Sequence, residues 1–146
     1  GIILVLARSP AFRKEKRMKH HMKDDGGRSK YFDHPSHYGD CVVRACAIAT
    51  DRDYLDVFKD LCQIAIEIGD LPNAPSVYDE FLTRHGFTKN KPPKRNGKKI
   101  PIRDWVPDAP RGNIVAITRL HLVAIVDNVQ RDTWLDERVV NSWYHK

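Results

Sequence analysis

Three side chains in this sequence, Cys41, His121 and Asp132, are of the types that together perform nucleophilic chemistry, provided that the fold brings them to one place. Cys41 follows Gly39-Asp40 in "YGDCVVRACAIATDRDY", where turn-like residues give way to a run of small and apolar ones. An ordinary thiol, with a pKa of about 8.5, is mostly protonated at neutral pH. At a helix N-terminus beside an imidazolium it can fall to about 3.5–7.5 and become a nucleophile. The backbone N–H of Cys41 at such a helix start also supplies one oxyanion donor. Asp40 opposes the thiolate by its charge unless its carboxylate is occupied, for instance by backbone N–H groups. Taken singly, Cys41 reads as a small core residue, His121 as a satisfied strand histidine and Asp132 as a turn or edge residue, so the argument rests on the three together.

A hairpin joins the other two. In "HLVAIVDNVQRDTW", Asp127-Asn128 suits a two-residue turn, because both residue types tolerate the positive φ such turns demand. Val126 then pairs with Val129, and counting outward sets Val123 opposite Asp132 and His121 opposite Trp134. His121 and Asp132 therefore share one side of the sheet as diagonal neighbours. There a carboxylate can fix the imidazole tautomer and support its protonated form.

The elements that must position these residues divide by period. Asp40 reads as the N-cap of a buried helix of about ten residues. A second helix is expected from Asp53 to Ile68, with Tyr54, Val57, Phe58, Leu61, Ile64, Ala65 and Ile68 recurring at three and four and Gly69 as its stop. A third is expected from about Ser76 to His85, with Val77, Phe81 and Leu82 on one face. After the basic loop "KNKPPKRNGKK" come "NIVAIT", "HLVAIV", "VQRDTW" and "RVVNSWY", short runs rich in β-branched and aromatic residues that read as an antiparallel sheet. Helices first and strands afterwards predict an α+β domain. Trp105, Trp143 and Tyr144 read as packing aromatics, and Cys46 and Cys62 as core residues.

"GDCVVRACAIATDRDY" followed far downstream by "HLVAIVDNVQRDTW" resembles the papain-like cysteine peptidase superfamily, most closely its small bacterial and phage-borne members. The resemblance spans Tyr38 to Trp134 in outline, with its specific motifs at the two ends. It implies a papain-like fold with helices packed on a C-terminal antiparallel sheet, Cys41 as nucleophile, His121 as general base and Asp132 as the orienting third member. It further implies hydrolysis of a peptide or amide bond through a thioester, without a cofactor. Such peptidases commonly carry a Gln several residues before the cysteine to complete the oxyanion hole, whereas "DHPSHYGD" has none. Ser36, His37 or Tyr38, with Asp40 and the Cys41 backbone, are the candidates on that side, and Trp134 on the strand side.

Composition bounds the remaining possibilities. A chain of 146 residues is the size of one domain, and its 41% hydrophobic and 30% charged residues are ordinary for a soluble protein. The run "GIILVLA" has the content of a short strand and is too short for a membrane span or a secretory core. Three cysteines form no paired framework, so a reducing, cytoplasmic setting is expected. Between Arg8 and Lys30 nine Lys/Arg face three Asp/Glu, a net of +6, which is the net charge of the whole chain. Residues 1–30 accordingly read as a basic arm, helical at most through Arg13 to Lys23, ahead of a domain at 31–146. A second block, 89–99, adds six Lys/Arg and no acid. Such segments are solvated or contact nucleic acid or an acidic protein. A second functional reading follows: a papain-like binding or regulatory module without catalysis that uses these segments. A third keeps the thioester and transfers the acyl group to an amine. His34, His37, Cys41 and Asp40 are of types zinc accepts, but their spacing fits no defined zinc motif, and no metal is expected.

Overall fold

Residues 19–146 are described in the structure, a computed structural model. Its helices form where apolar residues recur at helical spacing. Helix α1 (Cys41–Thr50) buries Val42, Val43, Ala45, Cys46, Ala47 and Ala49. Helix α2 (Tyr54–Ile68) starts at the Asp53 cap, whose carboxylate accepts from the Leu55 and Asp56 amides at 3.2 and 3.3 Å, and stops at Gly69 with φ 82°. It buries Tyr54, Val57, Leu61, Ile64 and Ala65; Phe58 and Ile68, expected on the same stripe, lie at its exposed margin. Helix α3 (Pro75–Arg84) begins one residue early because Pro75 suits the first helical turn, and His85 is its cap rather than its last residue. A single turn, α4 (Ile102–Trp105), follows the basic segment, and its Trp105 packs edge-on against Trp143 with ring centroids 5.0 Å apart.

The strands are β1 (His21–Lys23), β2 (Thr88–Asn90), β3 (Lys94–Arg95), β4 (Lys98–Lys99), β5 (Asn113–Thr118), β6 (His121–Val126), β7 (Val129–Asp132) and β8 (Ser142–His145). Six of them form a sheet in the order β1-β7-β6-β5-β8-β2, antiparallel throughout except for the β1–β7 pair, while β3 and β4 form a separate ribbon. Alternation along β5 and β6 gives the sheet two apolar faces. Val115, Leu122, Ala124 and Tyr144 join the core of α1, α2 and α3; Ile114, Ala116, Val123 and Ile125 meet Ile102, Trp105, Val106 and Val140. The α+β class read from the sequence is therefore the class observed.

The described part of the segment read as a basic arm contributes a strand to the sheet. Residues 21–23 pair in parallel with β7, and the Asp24 amide continues the ladder to the Asp132 carbonyl at 3.0 Å. A 3-10 turn at Arg28–Lys30 follows. Three residues at a sheet edge carry too little periodicity to announce a strand, which explains the difference; His21–Lys23 are strand, not the end of a helix. The expected strand "GIILVLA" and the helix through Arg13 fall on residues 1–18, outside those described. Among the described residues no helix is long and apolar enough to cross a membrane.

Candidate active site

The site assembles where the first turn of α1 meets the beginning of β6. Asp127 and Asn128 have φ of 47° and 65° and form the turn between β6 and β7. Val126 pairs with Val129 and Ala124 with Arg131, the register counted from the sequence. Asp132 and His121 consequently meet: the His121 Nε2 and an Asp132 carboxylate oxygen are 2.6 Å apart, both side chains buried. With Nε2 taken, Nδ1 is the ring nitrogen left for Cys41, which lies near enough for the thiol and the imidazole to shift each other's pKa.

These contacts set the protonation states. Burial alone would lower the His121 pKa, but the hydrogen bonds to Asp132 and Cys41 and the charges of both outweigh it and raise it to about 9. Burial likewise pushes the Cys41 thiol up, and the His121 and Leu122 hydrogen bonds together with the positive charges of His121 and Arg44 reverse the direction, so the thiol lies below its ordinary value. Both shifts act in the direction of a thiolate–imidazolium pair.

Asp40 holds the N-cap position of α1, but its side chain makes no capping hydrogen bond, contrary to the expectation from its residue type. Tertiary partners claim the carboxylate instead. Arg44 pairs with one oxygen, while the Tyr54 hydroxyl donates to the other at 2.7 Å and Arg28 lies 3.5 Å from it. Arg28 also donates to the Tyr54 hydroxyl at 2.9 Å. The negative charge next to the thiol is thus matched by two guanidinium groups, and no side chain of the cap competes for the Cys41 amide.

Arg44 ties this cluster to the hairpin. Its second nitrogen lies 3.4 Å from Asp132 Oδ1, which also accepts from the Thr133 amide at 2.7 Å; the other Asp132 oxygen serves His121. Sequence reasoning missed Arg44, Arg28 and Tyr54. One signal was present for Arg44: it is the single charged residue inside "CVVRACAIAT", and a charge in a buried helix requires a partner.

Trp134 stacks on His121, ring centroids 4.8 Å apart at 31°, and the Arg138 guanidinium lies over the Trp134 ring at 5.2 Å. It covers the imidazole while remaining 43% exposed, so it borders the site rather than the core. Ser36 and His37 are engaged elsewhere. Ser36 Oγ accepts from the Tyr38 amide at 3.4 Å, and the His37 ring lies against that of His34 at 6.0 Å. Ser36 lines a cleft of about 480 Å³ together with Asp40, Arg44 and Thr133. Cys41 thus joins His121, not the histidines His34 and His37 of the alternative zinc reading. All three cysteines are free, Cys46 fully buried and Cys62 half-buried.

Compared with family models, with curated proteins and with solved structures, the chain matches none. The case for function therefore rests on the geometry of these side chains. A thiol at a helix start, beside an imidazole that is itself hydrogen-bonded to a carboxylate, can attack a carbonyl carbon and move one proton between sulfur, ring nitrogen and leaving group.

Proposed function

We propose that this chain is a papain-like cysteine hydrolase that cleaves a peptide or other amide bond through a thioester. The observation that carries the proposal is the buried His121–Asp132 pair, 2.6 Å apart, set beside Cys41 at the first position of α1. The Cys41 thiolate attacks the carbonyl carbon, and the oxyanion that forms is met by the Cys41 backbone N–H at the start of α1. The C–N bond breaks as the His121 imidazolium gives its proton to the departing amine. His121, now neutral, takes a proton from water, and the hydroxide formed displaces the thiolate and releases the acid. Asp132 holds the ring so that one nitrogen faces sulfur throughout.

Papain-like organisation is supported by the chain order of nucleophile helix, base strand and orienting strand, which follows the pattern implied by the two sequence motifs. The test is twofold. At pH 6, iodoacetamide should label Cys41 much faster than a free thiol, with loss of that rate in His121→Ala. An activated amide or ester should leave an acyl adduct on Cys41 that mass spectrometry detects and that Cys41→Ala lacks. Labelling no faster than a free thiol, with no acyl adduct, would overturn the proposal.

A further inference from the structure

The second basic block forms a built element and not an irregular loop. Strands β3 and β4 pair antiparallel around Asn96-Gly97, whose φ values of 54° and 75° are those of a primed two-residue turn. The register puts Lys94 directly across from Lys99 and Arg95 directly across from Lys98. Directly opposed like charges destabilise a strand pair, and here both pairs of a two-pair ribbon are cation on cation. All four residues are exposed, and the ribbon buries no face of its own. Among the described residues compensation is slight. Arg95 is 3.5 Å from Asp108 with both side chains more than half exposed, a pair worth little in water, and Lys99 donates to the neutral Asn141 amide oxygen at 3.0 Å. The stem is fixed nonetheless: Trp143 Nε1 donates to the Lys91 carbonyl at 2.9 Å, and the Val140 amide donates to the Ile100 carbonyl at 3.1 Å.

A local rule broken twice in six residues, on an anchored support, marks a place where the partner supplies what the fold does not. We propose that the β3–β4 ribbon is a docking surface for the phosphate backbone of a nucleic-acid duplex. Three features favour this partner. Side chains of successive strand residues point to opposite faces, so Lys94 and Lys99 arm one face and Arg95 and Lys98 the other. A ribbon with cations on both faces meets phosphates on both walls of a groove, and a two-stranded ribbon fits the major groove, whereas a flat acidic protein surface engages one face. Residues 88–99 contain no aromatic side chain, which removes the stacking that single-strand binding uses. Contacts to phosphates alone give binding that is independent of sequence and steeply dependent on salt. This surface is independent of the hydrolase reading and does not require it.

The test is fluorescence anisotropy of a labelled mixed-sequence DNA duplex with the full chain, between about 50 and about 200 mM salt. The variant Lys94→Gln/Arg95→Gln/Lys98→Gln/Lys99→Gln should bind about 10- to 100-fold more weakly, with the log–log salt slope shallower by about 3 to 4. Lys98→Gln/Lys99→Gln should lose about half of that slope change, which guards against a folding defect in the fourfold variant. Arg13→Gln/Lys14→Gln/Lys16→Gln/Arg17→Gln should retain the ribbon's share of the slope. Binding by the fourfold ribbon variant equal to that of the unaltered chain would overturn the proposal. So would loss of all binding in the 13–17 variant, or competition by polyglutamate as effective as by duplex at equal charge.

Discussion

Arg44 lies 3.4 Å from Asp132 across a separation of 88 residues, and its guanidinium also pairs with Asp40 one helical turn before it. One buried cation therefore holds the carboxylate that orients His121 and neutralises the one beside Cys41. Replacing it by leucine removes both functions. Asp40 and Asp132, with 7% and 4% side-chain exposure, each lose a cationic partner, and breaking such a buried pair costs about 3–5 kcal/mol. Arg44→Leu should lower the urea midpoint accordingly and raise the Cys41 pKa read from the pH dependence of alkylation. Arg44→Lys, which keeps the charge but not the fork, should recover the thiol pKa more fully than the stability. Unchanged alkylation in both variants would show that His121 alone sets the thiolate.

The protonation states predict a bell-shaped profile of rate against pH. Its acid limb lies below the ordinary thiol value, because Cys41 must ionise, and its alkaline limb lies near 9, where the His121 imidazolium is lost. Asp132→Asn should draw the alkaline limb back toward the ordinary histidine value of about 6.5 and so narrow the bell from that side. The sign for stability follows from the same shift. A histidine whose folded pKa exceeds its unfolded one stabilises fully below the unfolded value and loses that contribution as pH rises through about 9. Denaturation of the unaltered protein at several pH values between 6 and 10, compared with His121→Ala, should show this loss only where the histidine is present.

Gly26 offers a test of whether the segment before α1 supports the site. Its φ is +71°, and a β-carbon there would stand 2.9 Å from the Arg44 Cα, so alanine is strained and also presses on the helix that carries Cys41. Gly26→Ala should cost about 1–3 kcal/mol and slow alkylation of Cys41. Gly69→Ala, with φ +82° and open space around it, should cost less and leave alkylation unchanged. Equal effects from the two would mean that strain, and not contact with α1, accounts for Gly26.

How far the site was legible depends on how local its determinants are. Asp127-Asn128 announced its own turn, and one turn fixes the register of a hairpin, so the meeting of His121 with Asp132 followed by counting. The core stripe of α2 was readable for the same reason, since Val57, Leu61, Ile64 and Ala65 obey a single period. Asp40 reads as a cap by residue type, and only the fold shows that Arg44, Tyr54 and Arg28 take its carboxylate from the amides. β1 was lost because three residues of mixed character acquire strand geometry from β7 and from nothing in themselves. Long-range polar partners and borrowed strands are tertiary properties, and no window of sequence contains them.

Asp136 is a further polar group whose burial demands an account. It is fully buried, accepts from the Thr118 hydroxyl at 2.6 Å and from the Arg138 amide and guanidinium at 2.9 and 3.2 Å, and its backbone exchanges hydrogen bonds with the Gln130 side chain. The loop from Thr133 to Arg138, which carries Trp134, is thereby tied to β5 and β7. Asp136→Ala strands the buried Thr118 hydroxyl and should destabilise by about 2–4 kcal/mol. Burial pushes the Asp136 pKa up, but the Arg138 and Thr118 hydrogen bonds hold it below the ordinary carboxylate value. A depressed pKa gives stability that is complete above the unfolded value and is lost as pH falls through the folded one. Urea denaturation at pH 7 and at pH 3 should therefore show a larger acid loss in the unaltered chain than in Asp136→Asn. If the two lose stability equally, the acid sensitivity belongs to other carboxylates, and Asp136 holds the loop through its shape and its neutral hydrogen bonds.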